Sequence, residues 1–158
     1  MKQDAQCALD YLLARVGIDK RKIVLVGSSI GGAVAIDVAH NNQDSIRALI
    51  VENTFLSLPV LIPHVLPIAG YFTSLCIDKW QTQDLVPGIT HLPVLFLASQ
   101  KDELIPVRHM EKLFDTIGTK TKKFVAIPNA GHNDAVTFKE YWQGVSAFWE
   151  QHVANDTI

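Results

Sequence analysis

Apolar positions near the start of the chain fall into two different spacings. From Ala5 to Val16 they recur at helical spacing, and Gly17 follows where a helix would end. The next run, Ile23 to Val26, is short, rich in β-branched residues and apolar on both faces, which is typical of a strand in a sheet covered by helices. We therefore predict an amphipathic helix followed by a buried strand.

The same alternation continues to the end of the chain. We predict the remaining elements as a helix at about 32–40, a strand at 48–51, a strand at 94–98, a helix near 107–117, a strand at 124–127 and a final helix at about 138–153. Strands and helices in this order predict right-handed crossovers and an α/β fold, with a mostly parallel sheet of about four strands flanked by helices. One domain, 1–158, accounts for the whole length.

One stretch, at about 54–88, interrupts the alternation. It contains an apolar run from Leu58 to Ile77 that approaches the length of a membrane span, but three prolines and His64 lie inside it. We predict a short lid inserted into the domain rather than a transmembrane helix. Its apolar side chains favour an acyl substrate, and packing of the lid onto the core explains them at least as well.

Composition narrows the classes of protein that the chain can represent. Hydrophobic residues make up 48% and charged residues 19%, which indicates a globular protein with a packed core. A formal net charge of −2 leaves no basic field for a phosphate backbone, so we expect no nucleic-acid partner. Because the first ten residues are polar, we expect a soluble, cytoplasmic chain. Cys7 and Cys76 lack metal-ligand spacing, and we expect Cys7 to be buried in the first helix.

The segment from Gly27 to Gly31 matches the pattern G-x-S-x-G and lies between a predicted strand and a predicted helix. In that setting a nucleophile occupies a strained turn, and small residues two before and two after it let the backbone fold sharply. Ser29 is at the centre of the pattern, so we predict Ser29, and not Ser28, as the nucleophile. The backbone amide of Ile30 then faces a developing oxyanion.

A serine nucleophile needs a base, and the base needs an acidic partner. His132 follows the predicted strand 124–127, which places it at the same edge of the sheet as Ser29. Asp102 lies in the loop after the strand 94–98, at that edge again. The order serine, aspartate, histidine is the order of an α/β-hydrolase triad, and we predict Ser29, Asp102 and His132 as that triad.

Other residues compete for two of these roles. Glu103 and Asp134 are rivals for the acid, although Asp134 is only two residues from the predicted base. His91, in a loop before a strand, is a weak rival for the base. The remaining histidines, for which packing or solvation is the simpler explanation, are His40, His64, His109 and His152.

The predicted chemistry is acyl transfer on an ester, thioester or amide, with an acyl-enzyme on the serine that water hydrolyses. Phosphate loops and metal-ligand clusters are absent from the sequence, so no cofactor is implied. The expected partner is a small-molecule or acyl substrate.

Four motifs resemble one branch of the α/β-hydrolase superfamily, the group of α/β-hydrolase domain-containing protein 13 and its fungal bud-emergence homologues. The motifs, which span nearly the whole chain, are Gly31-Gly32-Ala33-Val34-Ala35-Ile36, Val51-Glu52-Asn53-Thr54-Phe55-Leu56-Ser57, Leu104-Ile105-Pro106 and Gly131-His132-Asn133-Asp134. The resemblance implies a serine hydrolase whose triad falls on the same three residues. Its members have a basic residue where this chain has Ser28.

The resemblance also implies a region that precedes the first helix in family members. That region comprises an N-terminal membrane anchor, the first strands of the sheet and a loop that supplies a second oxyanion amide. Without it, we expect the first strand of this chain to expose an apolar sheet edge. The alternative to an active hydrolase is therefore a catalytically weak or inactive product that associates with itself or another chain through this edge.

Overall fold

The computed structural model describes residues 1–19, 22–65 and 80–154 of the 158-residue chain. Its helices and strands, in chain order, are α1 (Lys2–Ala14), β1 (Val24–Ser28), α2 (Ile30–Asn41), β2 (Ala48–Glu52), α3 (Leu58–Val65), α4 (Thr82–Leu85), β3 (Val94–Ser99), α5 (Arg108–Thr116), β4 (Lys122–Ile127) and α6 (Lys139–Trp149). Short 3-10 turns at Gln43–Ser45, Val86–Gly88 and Ala135–Thr137 and a π-helical turn at Glu150–Ala154 join or extend them.

The described strands form one four-stranded sheet in the order β1-β2-β3-β4. Each neighbouring pair is parallel, so all strands end at the same edge of the sheet. Each strand lies beside the one before it in sequence, which is the usual arrangement of consecutive strands. The predicted fold class, a parallel α/β sheet of about four strands flanked by helices, is confirmed.

Two hydrophobic layers hold the sheet, because alternate side chains of a strand point to opposite faces. Leu49 and Val51 of β2 point to the face covered by α1, α2 and α5. Ala48 and Ile50 point to the opposite face, where the buried partners from α6 and the turn beyond it are Tyr141, Phe148 and Val153. The central strands β2 and β3 are buried along their whole length.

Strand β1 departs from the prediction of a fully buried strand. Val24 and Leu25 are only partly buried, and Val26 is 64% exposed. Val26 is in register with Ile50 and therefore points to the face that α6 covers. Among the described residues α6 packs mainly over β4 and β3, and Val26 stays largely uncovered. The apolar run that forms β1 thus lies at an edge of the sheet. Its burial depends on which elements pack against it, and the apolar run alone does not determine that.

Several boundaries also differ from the predicted ones. The first helix starts at Lys2 and ends at Ala14, and Gly17 has a φ of +91° in the loop beyond it. Cys7 is exposed on α1 rather than buried, because it lies on the solvent face of the helix; Cys76 lies outside the described residues. Strand β1 extends to Ser28, directly before the predicted nucleophile.

The predicted lid, 54–88, is described only at its two ends, and 66–79 lie outside the described residues. Its first part forms helix α3, in which Leu61 packs with Ala33, Phe55 and Ile105. Trp80, where the description resumes, belongs to the same cluster. Across the described ranges, no helix combines the length and hydropathy needed to cross a membrane.

Candidate active site

Ser29 occupies the sharp turn between β1 and α2. Its φ of 54° and ψ of −123° place a non-glycine residue in a backbone conformation that L-residues rarely adopt. Such strain is stored where the surrounding structure enforces it, and it lifts the hydroxyl clear of strand and helix. Ser29 therefore has the backbone geometry of a nucleophile elbow.

Close contacts at the turn involve Gly27 and Gly32. A Cβ on Gly27 would lie 2.3 Å from the carbonyl oxygen of Gly31, and one on Gly32 would lie 2.6 Å from the Cβ of Thr54. A Cβ on Gly31 would meet no described atom within 4 Å. The prediction that both glycines of the motif are needed for steric reasons therefore holds for Gly27. It is wrong for Gly31, because α2 turns that position toward open space. The second sterically confined glycine is Gly32.

The end of β2 holds the main chain of the elbow. The Ser29 N–H donates to the carbonyl of Glu52 at 2.9 Å. The Ser29 carbonyl accepts from the Thr54 hydroxyl at 2.8 Å and from the Gly32 N–H at 3.0 Å. Three hydrogen bonds thus fix the strained residue, one of them to the last residue of β2 and one to the segment that follows it.

The structure brings Ser29, His132 and Asp102 into one hydrogen-bonded line. Asp102 Oδ2 lies 2.8 Å from His132 Nδ1, and His132 Nε2 lies 3.1 Å from Ser29 Oγ. A carboxylate can only accept, so Nδ1 carries the ring proton and Nε2 presents its lone pair to the serine hydroxyl. The ring is therefore in the tautomer that a general base needs.

Burial shields the Asp102 end of this hydrogen-bonded line from solvent. The side chain of Asp102 is 1% exposed and that of His132 is 7% exposed. Asp102 Oδ1 accepts from the N–H groups of Leu104 at 2.9 Å and Ile105 at 2.7 Å. The carboxylate is thus oriented by two backbone donors as well as by the imidazole.

The rival acids lie elsewhere. Glu103 Oε2 accepts from the backbone N–H of His132 at 3.3 Å, and Asp134 Oδ1 accepts from the N–H of Gly131 at 2.7 Å. Both carboxylates contact the main chain of the loop that carries His132, and Asp102 alone of the three contacts its ring in the described hydrogen bonds.

The other histidines have partners away from Ser29. His40 Nδ1 lies 2.9 Å from the carbonyl of Leu85, and His91 forms a surface pair with Asp44 at 3.0 Å. His64 accepts from Arg108, and the His152 ring packs on Phe148.

His109 is fully buried on α5. Its Nδ1 accepts from the Leu56 N–H at 3.2 Å, so Nε2 carries the proton, and Nε2 has no hydrogen-bond partner among the described residues. Burial, with a smaller contribution from Arg108, lowers the pKa of His109 to about 4. His109 is therefore a neutral residue of the core.

Ile30, the predicted oxyanion donor, is the first residue of α2. The first N–H groups of a helix have no acceptor within the helix, so its amide is available beside Ser29. The helix dipole adds partial positive charge at the same point.

Two polar residues near the site were missed by the sequence analysis. Glu52 ends β2 and is largely buried, and Tyr141 donates to its Oε2 at 3.2 Å. Burial raises the pKa of the Glu52 carboxyl, while Tyr141 and His132 act in the opposite direction. Burial and the carboxyl together raise the pKa of Tyr141 to about 12. A glutamate at the end of an apolar strand is the available sequence signal, but its partner lies 89 residues away.

Asn53 was also missed. It follows Glu52 with a φ of 43° and is buried, and its side chain bonds to Ser99 and to the carbonyl of His132. Asparagine after a strand is usually a turn residue, so the sequence alone does not distinguish this role from an ordinary turn.

Known proteins are similar to this chain in sequence and in fold. No family model matches the chain. The chain is 44% identical over 156 residues to protein bem46 of Schizosaccharomyces pombe, covering 98% of this chain and 52% of that protein. It is 33% identical over 165 residues to the α/β hydrolase domain-containing protein WAV2 of Arabidopsis thaliana, covering 96% and 52%. The chain thus spans about half the length of these curated relatives.

Solved structures show the same fold. An acetyl xylan esterase from a Paenibacillus species superimposes with a TM-score of 0.77 at 16% identity, covering 96% of this chain and 52% of that one. With this sheet, this turn at Ser29 and these relatives, the chain has the fold of the α/β-hydrolase superfamily. Within it, the chain resembles the group that contains protein bem46 and WAV2, and it corresponds to the C-terminal part of such proteins.

Proposed function

We propose that the protein is a serine hydrolase that cleaves an ester, thioester or amide through an acyl-enzyme on Ser29. The observation that carries the proposal is the pair of contacts at His132, 2.8 Å to Asp102 and 3.1 Å to Ser29. Each end of one imidazole is within hydrogen-bond reach of the group that its role requires.

The proposed first step is the attack of Ser29 Oγ on the substrate carbonyl carbon. His132 Nε2 takes the hydroxyl proton as the bond forms, and Asp102 stabilises the resulting imidazolium. The imidazolium then gives this proton to the leaving group as the carbonyl re-forms. An acyl group remains on the serine.

In the second step the same residues act on water. His132 removes a proton from a water molecule, whose oxygen attacks the acyl carbon. As the bond from that carbon to Ser29 Oγ breaks, the imidazolium returns the proton to Oγ, which releases the acid and the free serine. The negative oxygen in both steps lies near the N-terminus of α2, where the Ile30 amide donates to it. One oxyanion donor typically changes turnover by about 100- to 1,000-fold.

The proposal names the bond and leaves the acyl chain open. Leu61 of α3 is buried against Ala33, Phe55 and Trp80, so packing accounts for the described apolar contacts of the predicted lid. The class of bond rests instead on the serine nucleophile, which reacts with carbonyl carbon.

Covalent labelling with a fluorophosphonate probe tests the proposal. The phosphorus centre of this probe reacts only with an activated serine, so we expect one probe on each molecule, at Ser29, identified by mass spectrometry. Labelling is expected to disappear in Ser29→Ala and to fall at least about 100-fold in His132→Ala, because the base is lost.

Ser28→Ala is the matched control, since Ser28 neighbours the proposed nucleophile but lies on β1. It should keep its labelling. A folded wild-type protein that takes no probe, or equal labelling of Ser29→Ala, would refute the catalytic role.

A second candidate, association through the sheet edge, is favoured by the exposure of Val26 on β1. Beside that strand lies a groove of about 410 Å³ whose apolar lining includes Leu25, Val26, Val34 and Val38. A strand edge with apolar side chains pairs readily with another chain. An apparent molecular mass that rises with protein concentration, together with no probe labelling, would favour association through the sheet edge over hydrolysis.

A further inference from the structure

All four polar atoms of His132 have partners, and these partners come from three separate segments: the elbow, the end of β2 and the loop after β3. The ring contacts Asp102 and Ser29. The backbone N–H donates to Glu103 Oε2 at 3.3 Å, and the backbone carbonyl accepts from Asn53 Nδ2 at 3.1 Å. Side chains thus hold the peptide groups on both sides of the residue.

This arrangement matters because His132 lies on a loop rather than on a strand. The loop begins after Ile127, and its backbone bonds are a turn between Ala130 N–H and Ile127 carbonyl at 3.3 Å and a contact from Lys101 N–H to Ala130 carbonyl at 2.9 Å. Neither bond involves the peptide groups of His132. Its backbone position therefore depends on the two side-chain contacts.

Asn53 is the more constrained of the two side chains. It is 2% exposed, whereas Glu103 is exposed to solvent. Its Nδ2 donates to Ser99 Oγ at 2.9 Å as well as to the His132 carbonyl, and its Oδ1 accepts from the Ser99 N–H at 2.9 Å. Because hydrogen bonds gain strength where water is excluded, the buried amide is the stronger anchor.

The chemistry of the position selects asparagine. The backbone of Asn53 has a φ of 43°, which disfavours most residues and is tolerated by asparagine, aspartate and glycine. The side chain must both donate to a carbonyl and accept from an N–H. Aspartate lacks the donor when ionised and glycine lacks both groups, so among these residues only asparagine meets all the requirements.

We infer that Asn53 is a positioning residue that connects the ends of β2 and β3 to the main chain of His132 and so aligns its ring between Ser29 and Asp102. The inference rests on the proposed function for its kinetic consequence but not for its structural one. Removing the anchor lets the histidine loop move and lengthens the contact from Nε2 to Ser29 Oγ. A shift of about 1 Å in a reacting group can lower a rate about 100-fold.

Asn53→Gly tests this role because glycine accepts the backbone conformation without strain. In fluorophosphonate kinetics at increasing probe concentration, we expect the limiting rate of labelling to fall about 10- to 100-fold. The probe concentration that gives half of that rate should stay unchanged, since Asn53 makes no contact with the probe's site in the described structure. Ser99→Ala is the matched control: it removes a partner of Asn53 but leaves the bond to His132, and it should keep the wild-type rate.

A second readout does not require activity. The proton on His132 Nδ1, bonded to a buried carboxylate, should give a low-field NMR resonance in the wild type and in Ser99→Ala. In Asn53→Gly that resonance should weaken or vanish while the rest of the spectrum remains folded. If the wild type takes no probe, the proposed function fails, and the resonance still decides whether Asn53 positions the ring.

Asn53→Asp covers the case in which the glycine variant does not fold. It preserves the shape and the acceptor for Ser99 but directs a carboxylate oxygen at the His132 carbonyl, so the same losses are expected. Either variant, folded and with a wild-type limiting rate and an intact Nδ1 resonance, would overturn the inference.

Discussion

Ser29 and His132 meet at one edge of the sheet, but the strands beside them differ in how they are packed. β3, next to the histidine strand, is buried along its whole length, and the side chain of Asp102 beyond it is 1% exposed. β1, which ends in the nucleophile elbow, leaves Val26 64% exposed.

The difference shows that two separate mechanisms place the two halves of the site. A continuous core and buried hydrogen bonds orient Asp102 and His132. Ser29 is held by the turn itself and by three hydrogen bonds to its main chain, with Glu52, Thr54 and Gly32. We therefore expect perturbation of the core to affect mainly Asp102 and His132, and perturbation of the elbow to affect only Ser29.

The largest expected contrast is in the free energy of unfolding, between substitutions at neighbouring positions on one face of the sheet. Val26, Ile50 and Leu95 are in register on the same face. Because Leu95 is 0% exposed, Leu95→Ala should lower the free energy of unfolding by about 4 kcal/mol. Val26→Ala should change it by less than about 1 kcal/mol. Urea unfolding measures both, and equal losses would show that β1 is packed as tightly as β3.

Lowering the pH should reduce the free energy of unfolding through protonation of the buried His109. Burial lowers the pKa of His109 in the folded protein to about 4, below the ordinary histidine value of 6.5, so the folded protein favours the neutral ring. The resulting stability is complete above the unfolded-state pKa and is lost as the pH falls from 6.5 toward 4, by about 3 kcal/mol in total. His109→Asn retains an acceptor for the Leu56 N–H and cannot titrate. Its stability should therefore vary less with pH over this interval, and an unchanged slope would remove His109 from the explanation.

At the elbow, the two glycines of the motif should behave differently. Gly27→Ala places a Cβ against the backbone of Gly31, so labelling of Ser29 should fall about 100-fold. Gly31→Ala meets no described atom and lies within α2, where alanine is the better helix former by about 1 kcal/mol. Its labelling should stay within about twofold of wild type. Similar losses of Ser29 labelling in Gly27→Ala and Gly31→Ala would indicate that the open space beside Gly31 is required for function.

The smallest change is expected at the exposed edge. Val26→Lys adds a charge to β1, which should abolish any concentration-dependent association seen by sedimentation, because edge lysines block strand pairing. Stability should shift by no more than about 0.5 kcal/mol. Association that persists in this variant would assign the contact to another surface.

Much of the fold could be predicted because each strand is a short apolar run followed by a helix. Local sequence does not determine which strand lies at an edge: the apolar run Ile23 to Val26 alone predicts a buried strand, and the expectation of an exposed edge at β1, where Val26 is 64% exposed, came only from the family resemblance.

The candidate site divides in a similar way. Ser29 is recognisable because a strained turn has a local signature. Asp102 and Glu103 are adjacent acids, and only side-chain direction distinguishes a partner of the ring from a partner of the main chain. Asn53 joins residues 46 and 79 positions away, which no local pattern contains.

The left-handed backbone of Ser29 bears on how the gene can change over time. A non-glycine residue in such a conformation is strained by about 1 to 3 kcal/mol, and glycine would relieve the strain. Proteins evolve close to the stability that they need, so a substitution that removes strain is readily accepted where the strained residue has no function. In a lineage where this serine had no function, replacing it with glycine would raise the stability of the fold. The presence of serine at this turn is the opposite of what loss of function would favour.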